Sequence, residues 1–417
     1  MENVHLPHSN LSNTDKLLCL LNNGFLYFML GVTNVIMGVL NAAIADSIGC
    51  TDGYITFIAA ISMAVYSFTG FMGENLLKHI GLKYLTIVST LLRLFSTCML
   101  STINDAVSFA VWMTVLGLAN GLIISTSISV LGSIFVDHLS NAIGFVTLVY
   151  MVGTATPPVT QVWLENYGWR GALLVTGALH LHGLVTATAL DSSIGRKQDI
   201  TYTEIGKNQE DKTFLGKIGK SLQLSVFKNM TLNALFFVSG CIWFVIVVFH
   251  LSLIPYAISI SIEPLQASFL KTLVGMGCVI VRIVQCIVPQ TVNISTKLLV
   301  LTLFIDVVAL TFFIFSNQYT SLALSSFIHG AAYGLQSCLI HFLAIKSVDT
   351  AHAGGAIAWC KAFAGIGNLL AGLLGFFNSD KDLLFCFQIS TALQAFALIP
   401  SLYVLFLWHC SSKNKDT

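Results

Sequence analysis

Charged residues are scarce in this chain. Lys, Arg, Asp and Glu together make up 9% of the 417 residues, whereas a soluble domain carries roughly 25%. The hydrophobic fraction is 55% and the formal net charge is +1. This composition excludes an ordinary soluble enzyme and indicates one membrane-embedded unit. The few basic residues form no dense cluster, which argues against a nucleic-acid partner.

Signals for metal and nucleotide binding are also missing. The ten cysteines stand singly and none forms a Cys-x-x-Cys pair, so neither a disulfide framework nor a metal or redox site is predicted. No glycine-rich phosphate-binding loop occurs, and the Gly275-x-Gly277 pair is too short to be one. We therefore expect no cofactor, no ATP hydrolysis and no enzymatic activity.

Long apolar runs are abundant. A helix crosses the hydrocarbon core of a bilayer with about 20 apolar residues. Twelve runs approach or exceed this length, at 24–44, 54–74, 84–103, 107–131, 142–163, 171–190, 231–257, 267–288, 298–316, 320–345, 353–377 and 383–409. The sequence thus predicts an all-α membrane protein with twelve transmembrane helices.

The basic residues predict the orientation, because Lys and Arg near helix ends stay on the cytoplasmic side. With both termini inside, the outer loops hold only Arg170 and Lys381. The inner segments then hold Lys16, Lys78, Lys83, Arg196, Lys197, Lys207, Lys212, Lys217, Lys220, Lys228, Lys297, Lys346, Lys413 and Lys415. We expect a plasma-membrane protein with cytoplasmic termini.

A charged segment divides the chain into two halves. Residues 191–230 mix acidic and basic side chains without an apolar run, as in a cytoplasmic loop. The predicted parts are a cytoplasmic N-terminus, an N-terminal six-helix bundle, the central loop, a C-terminal six-helix bundle and a cytoplasmic tail, at 1–23, 24–190, 191–230, 231–409 and 410–417. Lys83 and Lys297 occupy corresponding positions in the two halves, a faint sign of a parallel repeat.

The segment after the second predicted helix carries glycines, an acid and basic residues. This pattern resembles the loop of the major facilitator fold, which has two six-helix bundles. Glycines permit tight turns, and an acid facing basic residues forms a charge latch that can differ between two states. The gating candidates are Gly73, Glu74, Lys78, Gly81 and Lys83. The alternative is that the lysines only snorkel at the membrane face.

Three stretches resemble the monocarboxylate transporter family. They are Val115-Leu116-Gly117-Leu118-Ala119-Asn120-Gly121 followed by Phe135 and Ala142-Ile143-Gly144, then Tyr167-Gly168-Trp169-Arg170-Gly171-Ala172 with Gly177-Ala178-Leu179-His180, and Leu253-Ile254-Pro255-Tyr256-Ala257 with residues 262–270. The resemblance implies a transporter of small organic anions, with proton symport in some members and a single-span ancillary glycoprotein in others.

The chain departs from that family at its coupling residues. Proton-coupled members carry a lysine in the first helix, and an Asp four residues before an Arg in the eighth. Here residues 24–44 contain no acidic or basic side chain, and Cys278 stands where the acid is expected, while Arg282 is kept. The family's basic cluster is also absent around Asp137 and His138. The resemblance therefore implies anion transport more strongly than proton coupling.

Charges inside membrane helices need a reason, because each costs at least roughly 2.5–3.5 kcal/mol at mid-depth. On the eighth predicted helix, Lys271, Gly275, Cys278 and Arg282 share one stripe. We predict that Arg282, with Cys278 and Lys271 beside it, binds the substrate anion. The alternative for Lys271 is snorkelling to the outer surface.

The eleventh predicted helix repeats this spacing with Lys361, Gly365, Asn368 and Gly372. Because the major facilitator arrangement places the eighth and eleventh helices beside the central cavity, both stripes are expected to face one aqueous path. Lys361 and Asn368 are therefore further substrate-binding candidates. The alternative for Lys361 is pairing with a neighbouring helix.

Other ionisable residues in the predicted helices favour structural roles. Arg93 and Asp306 lie in helices that this architecture sets far apart, so each needs its own local partner. The remaining candidates are histidines, at His180, His182, His329 and His341, and a buried neutral histidine that bonds a carbonyl is the usual case.

The expected function is secondary transport of a small organic anion, in the first place a monocarboxylate, by alternating access, with the lipid bilayer as surroundings and a proton as an optional co-substrate. One alternative is a facilitator for a larger or neutral substrate, such as an aromatic amino acid or a hormone-like acid. Another is a transporter-like sensor that moves nothing.

Overall fold

The computed structural model describes residues 12–135, 138–189, 224–287, 291–349, 352–378 and 382–413. Helices fill nearly all of this, and the described part contains no strand. The helices are α1 Asn13–Ile48, α2 Asp52–Ile80, α3 Leu82–Leu100, α4 Ala106–Ile134, α5 Leu139–Gly153, α6 Pro157–His180, α7 His182–Ala189, α8 Met230–Ser259, α9 Pro264–Ile287, α10 Val292–Ile314, α11 Tyr319–Lys346, α12 Ala353–Asn378 and α13 Leu383–Lys413.

Polar residues at the helix ends explain where several helices start. Ser12 and Asp15 form a capping box at α1, and the side chains of Thr51, Asp105 and Thr291 accept backbone N–H bonds at α2, α4 and α10. These bonds satisfy N–H groups that the first helical turn leaves without partners.

The fifth and sixth predicted spans differ from expectation in their boundaries. A break at 154–156 separates α5 from α6 and bends the chain by 42°. The reason is Pro157, which starts a helix readily but cannot continue one. Within α6 the backbone leaves helical geometry at Gly168, whose φ is 67°. Dividing α5–α7 at Gly168 gives twelve helical spans in the described part, and the predicted number is confirmed.

Nine of these helices are long and apolar enough to span a membrane by themselves. If the bent segments 142–153 and 157–185 are taken as one span, the number among the described residues is ten. The short α3 is not among them. Its inward face is polar, with Ser89, Thr90, Arg93, Ser96 and Thr97 all buried. The chain is a multi-pass membrane protein, and α3 turns its polar face towards the other helices and Val88, Leu91 and Phe95 outwards.

The segment after the second apolar run is helical and not a loop. α2 continues to Ile80 and ends at Gly81, where φ is 81°. The predicted span stopped at 74 because apolarity falls there, whereas the helical hydrogen bonds continue beyond the hydrocarbon. Of the predicted central loop, residues 191–223 lie outside the described part of the chain.

The helices form an N-terminal bundle, α1–α7, and a C-terminal bundle, α8–α13. The bundles meet where α2 packs on α12, where α9 packs on α5 and α6, and where α1 packs on α8. At the last contact Gly38 lies against the backbone carbonyl of His250, and any side chain at Gly38 would collide with it. In the most apolar stretch of each helix, 78% of the residues of α8 are buried but only 28% of those of α13. α8 is therefore central and α13 faces lipid.

Candidate functional site

Arg282 is buried between α9 and α11. Only 8% of the residue is exposed. Its Nη2 donates to the Ser337 hydroxyl at 2.9 Å, and that hydroxyl donates onward to the Gly334 carbonyl. Its Nε has no hydrogen-bond partner among the described residues. The guanidinium thus retains donor capacity, and its planar fork suits a carboxylate.

Cys278 faces α11 as well. Its thiol donates to the Gly330 carbonyl at 2.9 Å. Gly277 and Gly330 bring the two helices together, because a side chain at either position would meet the backbone of the other helix. The residue in place of the family's acid is therefore engaged with a neighbouring helix.

Lys271 does not reach the surface. The residue is 1% exposed, and its Nζ has no hydrogen-bond partner in the described part of the chain. The ammonium lies within electrostatic range of His250 on α8. One residue further along α9, Thr272 donates to the Ala155 carbonyl at 3.1 Å and so touches the N-terminal bundle. Lys271 thus lies inside the bundle near its interface.

The stripe on α12 packs against α2. Gly365 faces Phe68, Gly372 faces Ala60, and Lys361 lies beside Gly70. Asn368 is fully buried and donates to the Met63 carbonyl at 3.2 Å and to the Ser67 hydroxyl at 3.3 Å. The stripe therefore lies at the interface between the bundles.

Arg282 and Lys361 both lie within electrostatic range of one residue on α11. Both act electrostatically on His341, which lies between their helices on α11. The Nδ1 of His341 is 2.6 Å from the Ser337 carbonyl, so it donates to the next turn of its own helix. Lys271 is eleven positions from Arg282 on α9 and belongs to a different part of the interface. The two predicted stripes do not form a single surface in this conformation.

A small central cavity lies between the bundles. Its volume is about 10 Å³, which is about the size of one water molecule. α1, α2 and α5 contribute Asn34, Met63, Tyr66 and Tyr150, and α8 and α12 contribute Trp243, Ile246, Val247, His250 and Asn368. Asn34 donates to the Tyr150 hydroxyl at 3.0 Å. Both bundles therefore line the same mixed aromatic and polar space.

The gating candidates lie around the end of α2 and the start of α3. Gly73 packs against the side chain of Ser125 on α4, and Gly81 joins α2 to α3. Lys83 lies half-buried in the first turn of α3. The side chains of Glu74 and Lys78 lie outside the described residues, so the charge latch stays a prediction.

Arg93 and Asp306 each have local partners, which the sequence alone does not name. Arg93 donates to the Thr33 hydroxyl at 3.0 Å and is 1% exposed. Asp306 lies 2.8 Å from the Nδ1 of His329 and accepts from Gln394 at 2.6 Å and from Gln336 at 3.3 Å. His180 contacts Thr33 and Thr97 at 3.3 Å, and the ring of His182 lies 4.1 Å from that of Phe25.

Several residues of the central cavity are not among the sequence candidates. The clearest omission is His250, which is 6% exposed. A usable signal existed, because His250 is the only histidine in the apolar run 231–257, and ionisable residues in membrane helices are functional candidates by default. Trp243 and Tyr66 gave no such signal, since aromatic residues are common in apolar helices.

The family model described as Major Facilitator Superfamily matches residues 23–408. Among curated proteins, the chain is 25% identical to rat monocarboxylate transporter 13 over 336 residues, which cover 78% of this chain and 73% of that protein. It is 28% identical to mouse monocarboxylate transporter 12 over 184 residues, covering 38% and 37% of the two chains. The resemblance to monocarboxylate transporters is confirmed at low identity, as in a divergent member.

Rat monocarboxylate transporter 2 is 25% identical over 252 residues, which cover 56% of this chain and 50% of that protein. The chain thus matches half or less of the length of several of these relatives.

Solved structures share the fold. A POT family transporter in complex with a thioalcohol-conjugated peptide has a TM-score of 0.72 at 13% identity, covering 94% of this chain and 95% of that chain. The nucleoside transporter NupG has a TM-score of 0.71 at 12% identity, covering 93% and 99%. These likenesses concern the fold alone.

Proposed function

The chain belongs to the Major Facilitator Superfamily, and from that premise we propose that this secondary transporter moves a small organic anion, in the first place a monocarboxylate, across the plasma membrane by alternating access. Arg282 is proposed to hold the substrate carboxylate, with Cys278, Lys361, Asn368 and Lys271 around the path. Curated relatives named as monocarboxylate transporters support this substrate class.

The observation that carries the proposal is an excess of positive charge inside the bundle. Arg93, Lys271 and Arg282 are buried, and Lys361 is half-buried. None of them forms an ion pair within the described residues. Asp306 is the buried carboxylate there, and His329 and two glutamines occupy it. Because buried cations are costly without a partner, an anionic substrate that enters the interior is stabilised.

Contacts between the bundles support alternating access. Asn368 bonds α2 and Thr272 bonds the α5–α6 link, and each bond connects the two bundles through a single polar side chain. Each of these hydrogen bonds can break and reform on its own, and a ligand that binds one arrangement of the bundles better shifts the population towards it.

Flux through purified protein tests the proposal. The protein is reconstituted in liposomes, and uptake of a panel of radiolabelled organic acids is measured with and without a pH gradient. Saturable uptake of a monocarboxylate is expected. A thermal shift with an acid in the absence of any flux would instead establish the sensor alternative.

A second candidate is a facilitator for a larger acid. The aromatic side chains of Tyr66, Tyr150 and Trp243 around the central cavity favour it, because aromatic faces stack well on aromatic or apolar bodies. The same panel decides between the two if it includes aromatic acids beside lactate. The proposal includes a proton as an optional co-substrate, which uptake with and without a pH gradient tests, and a single-span ancillary glycoprotein, which co-purification from cells tests.

A further inference from the structure

A second pocket opens at the end of the C-terminal bundle where α8 and α12 begin and α11 ends. Its volume is about 470 Å³, far above that of the central cavity. None of the residues proposed to contact the transported substrate lines it, and its polar side chains include Ser225, Lys228, Asn229, Lys346, Asp349 and His352. The distribution of basic residues predicts that this end of the bundle faces the cytoplasm. The pocket is therefore a separate site, at the level where lipid headgroups meet the protein.

The walls of this pocket are held in place by contacts between the helix ends. The ring of Phe227, in the short 3-10 helix 224–228, packs edge-on against Trp359 of α12, with ring centroids 4.6 Å apart. Asn229 donates to the Ser347 carbonyl at 2.8 Å and so ties the start of α8 to the end of α11. The pocket is thus formed before a ligand arrives, which lowers the entropic cost of binding.

Three charged side chains line the pocket without pairing with one another. Neither the Lys228 nor the Lys346 ammonium forms an ion pair or a hydrogen bond among the described residues, and the Asp349 carboxylate forms no ion pair there. The Lys346 ammonium lies 6.0 Å from the ring centre of Phe342, one turn earlier on α11. Two cations and one anion are therefore open to a ligand.

Exposed apolar side chains flank the pocket. Leu224, Met230 and Ile345 are 47%, 65% and 38% exposed, and each is next in sequence to a residue of the pocket. Exposed apolar side chains beside a polar pocket mark a surface that contacts lipid in a membrane protein. An amphiphile, with a charged head and apolar chains, fits this surface better than a soluble ion does.

The charges of the pocket narrow the choice of headgroup. A phosphoserine head carries a phosphate, a carboxylate and an ammonium, and this set is the complement of Lys228, Lys346 and Asp349. Phosphatidylglycerol and the phosphoinositides offer no cation to Asp349, and phosphatidylethanolamine offers one anion to two lysines. Phosphatidylserine is also one of the anionic lipids of the cytoplasmic leaflet.

We propose that this pocket binds the head of a phosphatidylserine molecule from the adjacent leaflet. Lys228 and Lys346 bind its phosphate and carboxylate, Asp349 binds its ammonium, and its acyl chains lie along the flanking apolar side chains. The lipid then connects the start of α8 with the end of α11. Because a ligand that binds the folded state stabilises it, the bound lipid raises the stability of the C-terminal bundle.

Thermal unfolding in nanodiscs tests the proposal on the unaltered protein. The discs consist of phosphatidylcholine, alone or with an equal fraction of phosphatidylserine or phosphatidylglycerol, which have the same net charge. We expect phosphatidylserine to raise the melting temperature at least about twice as much as phosphatidylglycerol does. Equal shifts, or a larger shift with a phosphoinositide, overturn the proposal. Soluble phosphoserine should cause no shift in phosphatidylcholine discs, and a shift as large as that of the lipid would overturn a membrane source of the ligand.

Matched variants locate the effect at this pocket. Lys346→Gln is expected to reduce the shifts with both anionic lipids, whereas Lys297→Gln, exposed at the same predicted face, preserves them. Asp349→Asn removes the partner of the ammonium, so the shift with phosphatidylserine should fall to about that with phosphatidylglycerol.

In phosphatidylcholine discs alone, the three variants should unfold at the temperature of the unaltered protein, which excludes a folding defect. A preference for phosphatidylserine that survives in both Lys346→Gln and Asp349→Asn contradicts the assignment to this pocket. Should Lys346→Gln fail to fold, Lys228→Gln tests the same pair of cations.

Discussion

The Asn368 amide donates a hydrogen bond to the Met63 carbonyl, 3.2 Å away, and thereby joins α12 of one bundle to α2 of the other. The Met63 carbonyl already accepts within its own helix, including from the Ser67 hydroxyl at 2.9 Å, so the bond from Asn368 is not needed for helix formation. It stabilises the arrangement of the bundles. If the bundles separate along α2 and α12 during transport, this bond breaks in each cycle.

Arg282→Lys is expected to impair uptake severely, and Arg282→Ala nearly to abolish it, with the protein still at the membrane. Lysine keeps the charge but loses the planar fork, and a charge-assisted bond of this kind contributes roughly 1.5–3 kcal/mol, or about ten- to a hundredfold in apparent affinity. Radiolabelled uptake normalised to surface labelling measures the effect. Lys297→Ala, at an exposed position, is the control. Unchanged uptake in Arg282→Ala would leave Lys361 as the anion anchor.

Asp306→Asn is expected to lower thermal stability. Gln336 and Gln394 both donate to Oδ2 of Asp306, and His329 faces Oδ1. The amide removes the negative charge, and its NH₂ group opposes either the two glutamine donors or the ring of His329, which costs about 3 kcal/mol. Thermal unfolding in detergent should show a clearly lower melting temperature, whereas Asp349→Asn, at an exposed site, leaves it unchanged. Equal melting temperatures would show that the network contributes little to stability.

Gly330→Ala is expected to destabilise the C-terminal bundle, although alanine is the better helix former by about 1 kcal/mol. The new methyl group would meet the Val274 backbone on α9, and overpacking of this kind costs about 1–3 kcal/mol. Gly144→Ala is the matched control, because nothing lies within 4 Å of its added carbon. Thermal unfolding of both variants checks the sign, and a stabilised Gly330→Ala would mean that α9 and α11 separate easily.

The predicted orientation places Asn229 and Asn293, both in Asn-x-Ser/Thr sequences, on the cytoplasmic side. Neither should carry a glycan. In a Cys50→Ser background, an impermeant maleimide added outside intact cells should label Thr102→Cys but not Asn293→Cys, both positions being exposed. A glycosidase-sensitive shift that disappears in Asn293→Gln would invert the topology.

Uptake is expected to vary little between about pH 6 and 8, because α1 offers no acid or base within residues 24–44 and a cysteine thiol is a poor proton carrier in that range. Around Cys278 lie Arg282, Lys271, Tyr150 and Tyr333. Uptake with and without an inward proton gradient measures the dependence, and Cys278→Asp restores the acid for comparison. Strong stimulation that Cys278→Asp does not alter would assign proton transfer to a histidine, with His250, His329 and His341 as candidates.

The number of spans is predictable from the sequence, because a long apolar run lowers the free energy of transfer from water to the bilayer. The length of α2 was not, since its last turns are helical without being apolar. The burial of Arg282 follows from its place in an apolar run, but its Ser337 partner depends on how α9 rotates against α11. The spacing puts Asn368 on one face of its helix with Lys361 and Gly372, whereas its contact with Met63 joins residues 305 positions apart. His250 is not among the sequence candidates, because an apolar run does not reveal that its helix is central and that this ring lines the cavity between the bundles.

Gly38 on α1 lies against the backbone carbonyl of His250, where the two bundles touch without an intervening side chain. Two helices in backbone contact have little freedom to slide past each other. Such a contact therefore suits the axis of a rocking motion. The ring attached to that same residue lines the central cavity. If the bundles rock as the proposed transport cycle requires, a substrate that displaces the His250 ring acts at the contact about which they turn, and a small displacement there becomes a large one at the distant helix ends.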